Sequence, residues 1–471
     1  MGKSGKKHHG TSRFDAHHRR RLSEEGKRLL RHAFSHDGDE EDVRSVEAVS
    51  NLTNRDAESS ESELDSFDEW KGGHGKSKDA KEALHDLVEE LEEKRDETRI
   101  AALEKLNVLL CASALTQEVG GIKSRLVTAA LACLKKRHPE SAVLCLRFLA
   151  LVSITLGSDE EAYYNGVLQP LRRTVTDKCD TELRVEAIYA LSISVFMCTN
   201  EDQPKWEVLE LLGSILTGRH VEKDDNDSIG SDDDQRDESD DGLNDDPTFK
   251  VAAIECWAFL LSCFNPSQIV PMIYDQSSII ADHIVALVDM VQAGEDTTVR
   301  AMASEALALV IEYKYAIAQS SWSYDQESSS SPISGLIPKI QSFMKESGKT
   351  IGKKNRKTQR STFKEVLETL ETGVGPQERD MHVEDELIEV STWCRLFQAD
   401  VLRRVLATGF QVHLMQNDVL REIFQVRGHG QAKYNMMSTA DKRAGHKTKA
   451  RSLRASIAMR RRAQNSFLYT E

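Results

Sequence analysis

The stretch Asp180-Thr-Glu-Leu-Arg-Val-Glu-Ala-Ile188 decides how this chain folds, because variants of it recur. Asp96-Glu-Thr-Arg-Ile-Ala-Ala-Leu103, Asp246-Pro-Thr-Phe-Lys-Val-Ala-Ala-Ile254 and Asp296-Thr-Thr-Val-Arg-Ala-Met-Ala303 follow the same plan. Each opens on Asp, sets Arg or Lys three or four positions later, and then lines small and apolar residues along one helical face. A weaker copy starts at His138-Pro-Glu-Ser-Ala142 and continues through Leu144, Leu146, Phe148 and Leu149. The Asp is expected to cap a helix, since its carboxylate can accept the first unpaired backbone N–H groups. The cation is expected to meet the polar edge of a neighbouring repeat. Ala187 and Ala303 would let adjacent helices approach closely.

The anchors Arg99, Ser141, Arg184, Lys250 and Arg300 lie 42, 43, 66 and 50 residues apart. The long interval contains an acidic insert of 25 residues, Glu222 to Asp246, and without it the spacing is 41. A period near 40–47 residues belongs to armadillo and HEAT arrays, in which each repeat buries its apolar face only against its neighbours. The expected fold is therefore all-α dominated: an armadillo/HEAT-like right-handed solenoid over residues 79–346, with residues 222–246 and the Ser-rich run at 319–332 as loops.

Working outward, residues 1–78 carry a basic block and then an acidic one, and cannot bury enough apolar surface to offset the entropy of ordering. No run of eighteen apolar residues appears, and Met1-Gly-Lys-Ser-Gly-Lys-Lys lacks the apolar core of a secretory signal. The eight cysteines include no Cys-x-x-Cys, and several fall within apolar helical runs. They read as reduced core residues of a cytoplasmic protein, with the nucleus as a second compartment.

Beyond the array, Lys349 to Arg360 has six basic residues and no acidic one, with Lys353, Lys354, Arg356, Lys357 and Arg360 forming a secondary basic patch. Residues 347–431 read as a small, mostly helical domain with its own apolar face. Phe363, Val366, Leu367 and Leu370 fall at helical spacing, and Ile388, Val390 and Thr392 alternate as in a short strand. A helix through Val401, Leu402, Val405 and Leu406 should end with Gly409 at C′. Asn417 should cap a last helix holding Val419, Leu420, Ile423 and Phe424. Trp393, Phe424 and His413 read as core rather than as a base-stacking platform or a catalyst.

The last part, 432–471, is a cationic tail. Lys442, Arg443, Lys447, Lys449, Arg451, Arg454, Arg460, Arg461 and Arg462 fall in one window that holds no Asp or Glu, in a chain of net charge −15. Ala450, Leu453 and Ile457 would form a narrow apolar stripe on a helix there, every other side being cationic. Such a run could be a solvated tail or a nuclear import signal. It also suits a phosphate-lined groove, where counterion release favours binding irrespective of sequence. With Tyr434, Phe467 and Tyr469 its only aromatics, none of them between Lys442 and Arg462, the tail is suited to charge and shape rather than base-by-base readout.

The run Arg360-Ser-Thr-Phe-Lys-Glu-Val-Leu367, then Trp393, then Gly409-Phe-Gln-Val-His-Leu-Met-Gln-Asn417, then Leu420-Arg-Glu-Ile-Phe424 resembles the C-terminal part of the interferon-related developmental regulator family. Lys447-Thr-Lys-Ala-Arg-Ser-Leu-Arg454 fits it too, and the helical region before these motifs resembles the family more loosely. The resemblance implies a factor that binds ribosomes and represses translation, with ribosomal RNA as partner. It also leaves open a nuclear co-regulator that meets histone deacetylase-type complexes.

Enzyme motifs fail on inspection. Ser347-Gly-Lys-Thr350 ends like a phosphate-binding loop, but Phe343 stands where the first Gly is required. There is no Gly-x-Ser-x-Gly and no His-Glu-x-x-His. His8-His9 and His17-His18 have no third ligand nearby. No catalytic residue, metal site, cofactor, membrane or small-molecule substrate is expected.

Overall fold

Each recurring anchor sits in the first turn of one helix, and those helices form a single row. The protein is represented by a computed structural model describing residues 76–426, apart from 137, 178, 220–245, 294–295, 321–334, 347–352, 378–380, 384–385 and 389. The N-terminal charged blocks, nearly all of the acidic insert, most of the Ser-rich run and the cationic tail from Lys442 to Arg462 lie outside the described residues.

The inner row consists of α2 (Asp96–Ala112), α4 (Pro139–Leu156), α6 (Thr181–Cys198), α8 (Pro247–Leu261), α11 (Thr297–Ser320) and α13 (Lys353–Thr372). Each packs on the next inner helix and on its own outer partner. The outer partners are α1 (Lys76–Glu92), α3 (Thr116–Lys135), α5 (Glu161–Thr176), α7 (Asp202–Thr217), the pair α9 (Pro266–Tyr274) and α10 (Ile279–Ala293), and α12 (Leu336–Glu346). This is a helical solenoid. Its central inner helices, α4, α6 and α8, are apolar nearly all round because they are covered on several sides, whereas α13 at the end of the row has one apolar face. Thus α4, the one described helix long and apolar enough to cross a membrane, lies buried between α2, α3 and α6.

The repeat signature does what its chemistry requires, with one exception. Asp180, Asp246 and Asp296 cap their helices, accepting from Glu182 N at 3.2 Å, Thr248 N at 2.8 Å and Thr298 N at 2.7 Å. Asp96 does not; it is the first residue of α2, and its carboxylate is taken by the Arg99 guanidinium. Arg184 donates to the Val175 carbonyl at the end of α5 at 3.0 Å and lies 3.7 Å over the Phe249 ring of α8. Arg300 lies 4.7 Å over Phe343 of α12. Ala187 and Ala303 are fully buried at helix crossings. Four of the eight cysteines are buried and four half-buried, all as free thiols.

After α13 the chain makes a small antiparallel hairpin, β1 (Met381–Val383) with β2 (Glu386–Ile388), Met381 facing Ile388. The strand therefore ends before Val390, and Thr392 instead caps α14 (Trp393–Leu406), accepting from Arg395 N at 3.2 Å. A 3-10 turn (Ala407–Gly409), α15 (Phe410–Gln416) and α16 (Asp418–Ile423) follow. These pieces run back along the inner row. Helix α14 crosses α11, α8 and α4, and the 3-10 turn and α15 lie on α2. The apolar face of residues 393–424 is thus closed onto the array as one continuous core. Eleven large apolar side chains of this segment, from Trp393 to Phe424, are buried. At about 2 kcal/mol each, their burial contributes on the order of 20 kcal/mol gross, far more than a detachable lid could release.

Gly409 serves a different purpose from the helix stop expected of it. Helix α14 ends at Leu406, the positive φ of 47° falls on Ala407, and Gly409 has φ −79°. What Gly409 supplies is room, because a Cβ there would lie 1.9 Å from the Cys111 carbonyl oxygen.

Candidate functional site

The nine cations of the tail lie outside the described residues, which end at Val426. The secondary patch of Lys353, Lys354, Arg356, Lys357 and Arg360 falls on the first half of α13, at the far end of the inner row. The last described helix, α16, lies elsewhere, starting beside the end of α4.

Three contacts pin the end from which the tail leaves. His413 donates from Nε2 to the Leu110 carbonyl at 2.7 Å, and Asn417 donates from Nδ2 to the Ile154 carbonyl at 2.6 Å. Leu110 and Ile154 are in the last turns of α2 and α4, where backbone carbonyls have no partner within their own helix. Asn417 also turns its Oδ1 on the start of α16, accepting from Val419 N at 3.0 Å and Leu420 N at 3.2 Å. One amide thus closes the end of one helix and the beginning of another. Both His413 and Asn417 are buried, and burial holds the His413 imidazole below its usual pKa despite the Leu110 carbonyl. Gly409 on Cys111, and Val419 seated at Gly157, complete the fit.

The middle of the segment is held by charge. Arg404 donates to Glu186 of α6 at 3.0 Å, and its guanidinium lies 4.0 Å over the Tyr189 ring. The Tyr189 hydroxyl donates to Glu255 of α8, whose carboxyl is raised above its ordinary pKa by burial, against the pull of that hydrogen bond and of Arg404. Next to it, Gln398 donates to the Ser262 hydroxyl at the end of α8 at 3.0 Å.

The start of the segment rests on Glu312 of α11. Its two carboxylate oxygens accept from the backbone N–H of Trp393 at 3.0 Å and of Cys394 at 3.3 Å, so a side chain of the array caps α14 from outside. Burial pushes the Glu312 carboxyl up to about 7, against those two hydrogen bonds. Trp393 donates from its indole to the Thr369 hydroxyl at 2.8 Å. Glu312, Arg404 and the close approach at Gly409 are not signalled by any local motif, because their partners lie scores to hundreds of residues away.

Among the described residues no group of three or more His, Cys, Asp or Glu side chains is arranged to hold a metal ion. The paired His8-His9 and His17-His18 lie outside the described residues. The array itself is acidic: residues 79–346 contain 47 Asp and Glu against 24 Lys and Arg. The tail window from Lys442 to Arg462 has the opposite sign, with nine Lys and Arg and no acidic residue.

Residues 49–371 match the sequence profile of interferon-related developmental regulators, a span that takes in all of the array up to Glu371 and stops short of Trp393. Human interferon-related developmental regulator 1 is 23% identical over 342 residues, covering 71% of this chain and 68% of the human protein. Mouse interferon-related developmental regulator 2 is 25% identical over 339 residues, covering 71% and 70%. An engineered protein of known crystal structure overlays 62% of this chain and 97% of its own, at 16% identity and a TM-score of 0.35.

Proposed function

This chain belongs to the interferon-related developmental regulator family, and from that premise we propose that it is a non-catalytic regulator that binds ribosomes through RNA and represses translation. One observation carries the reading: nine cations in the 21 residues from Lys442 to Arg462, with no acidic residue among them, close an otherwise acidic chain. A helix of that length would be about 30 Å long and cationic on nearly every side. Lodged in an RNA-lined channel, it would exclude mRNA or tRNA by occupancy alone. The organisation of the array supports this division of labour. Its inner face is filled by residues 393–424, so the outer helices remain for docking while the tail engages phosphate.

The test is sedimentation of a lysate through a gradient at low and high salt. The expected result is cofractionation with ribosomes that disappears at high salt, and also when Lys447, Lys449, Arg451 and Arg454 are replaced by Glu. Protein found only with chromatin, bound to a histone deacetylase-type complex and absent from ribosomal fractions, would overturn the reading in favour of a nuclear co-regulator.

A further inference from the structure

We propose that Gly409, His413 and Asn417 are positioning residues: a mount that fixes where the cationic tail leaves the array, and so allows the tail and the array to engage one ribosome together. The inference rests on the ribosome-binding reading above and adds to it the residues that set the geometry.

His413 and Asn417 are four apart, and each closes the C-terminal end of a different inner helix, at 2.7 Å on Leu110 of α2 and 2.6 Å on Ile154 of α4. Gly409 removes the side chain that would keep the 3-10 turn off Cys111. These contacts come in addition to the caps that Asp180, Asp246 and Asp296 supply within the array. They hold α15 and α16, after which the described chain runs to Val426, whose N–H donates to the Arg421 carbonyl at 2.9 Å. From there 15 residues lead to Lys442. Whatever path they take, a chain advances at most about 3.4 Å per residue, so the first cation stays within roughly 55 Å of the mount.

That bound matters because the array and the tail carry opposite charge. An acidic body gains nothing from phosphate, so its contacts must fall on non-phosphate surface, while the tail must reach RNA. Two such contacts reinforce each other only if the connection between them spans the sites, and the gain falls steeply once the connection is too loose. A defined origin close to the array keeps the effective concentration of the tail high at one place on the ribosome. It has no bearing on how tightly the tail binds a featureless polyanion.

The experiment uses the full chain in three forms: wild type, Asn417→Asp, and a form with twenty Gly and Ser residues inserted after Val426. Asn417→Asp keeps the oxygen that accepts from Val419 and Leu420 but loses the donor to Ile154. The insertion leaves every contact intact and adds a flexible span of roughly 25 Å. Affinity is measured for heparin and for salt-washed ribosomes. The expected result is unchanged heparin binding, within about 1.5-fold, and ribosome binding weaker by about three- to fourfold or more in the insertion form. A smaller loss of ribosome binding is expected for Asn417→Asp, with restoration in Asn417→Gln if the longer amide regains Ile154. Ribosome affinity unchanged on insertion would overturn the proposal, as would an equal loss of heparin and ribosome binding. Failure of the ribosome reading itself shows differently, as ribosome binding indifferent to reversal of the tail charges.

Discussion

The array and the segment laid along it are both helical and both buried, yet they are held together by opposite means. In the array one solution recurs: Asp180, Asp246 and Asp296 cap α6, α8 and α11, and Arg184 and Arg300 lie over rings of neighbouring helices, so that each contact is weak and has counterparts elsewhere. In residues 393–424 each contact is made once. Arg404 reaches Glu186 across 218 residues of sequence, and His413 reaches Leu110 across 303. A repeat can lose one member of its set and keep the fold, whereas the segment loses its seat contact by contact. Single substitutions should therefore cost much more in the segment than in the array.

The largest effect is expected at Trp393, which is 1% exposed and donates to Thr369. Trp393→Ala should lower stability by about 4 kcal/mol, chiefly through the cavity it leaves. A shift of that size in the urea midpoint, without a change in its slope, would show it. Next comes Arg404→Met, which takes the ion-pair partner from buried Glu186 and the nearby cation from Glu255. A cost of about 3 kcal/mol is expected, checked in the same way.

Glu312 makes the third contrast, since it turns the seat of the segment into a function of pH. Its carboxyl titrates near 4.5 when the chain is unfolded and at about 7 when folded, so the folded state binds the proton more tightly. The stability it contributes is whole below pH 4.5 and is lost as pH rises through 7, by roughly 3 kcal/mol in all. Melting the wild type and Glu312→Gln across that range tests the point: the decline should vanish in the variant. The smallest effect is expected within the array, where Asp180→Ala removes one cap from a set of similar ones and should cost about 1 kcal/mol. If that cap proved as costly as Trp393, the distinction between repeated and singular contacts would fail.

The same distinction explains what the sequence made legible. The anchors at Arg99, Ser141, Arg184, Lys250 and Arg300 announced the inner row because a repeat states its spacing several times, and all five stand in first turns of inner helices. Asn417 was readable as a cap because capping is local. Gly409 was misread as a helix stop because only the position of Cys111, far off in sequence, reveals what its missing Cβ avoids. Asp96 was misread as a cap because the nearby Arg99 competes for its carboxylate. The apolar face of residues 393–424 was visible, but periodicity could not say that the array itself was the surface it would cover. The cations of the tail were legible as charge and composition alone.

The central claim is that an acidic helical array delivers a cationic tail to ribosomal RNA. It is tested most directly by the salt dependence of affinity for salt-washed ribosomes, measured for the wild type and for the form with Lys447, Lys449, Arg451 and Arg454 replaced by Glu. The expected result is a log–log slope that is shallower in the variant by roughly 0.7–0.9 for each lost phosphate contact, together with a much weaker affinity at low salt. Two curves of equal slope and equal affinity would contradict the account.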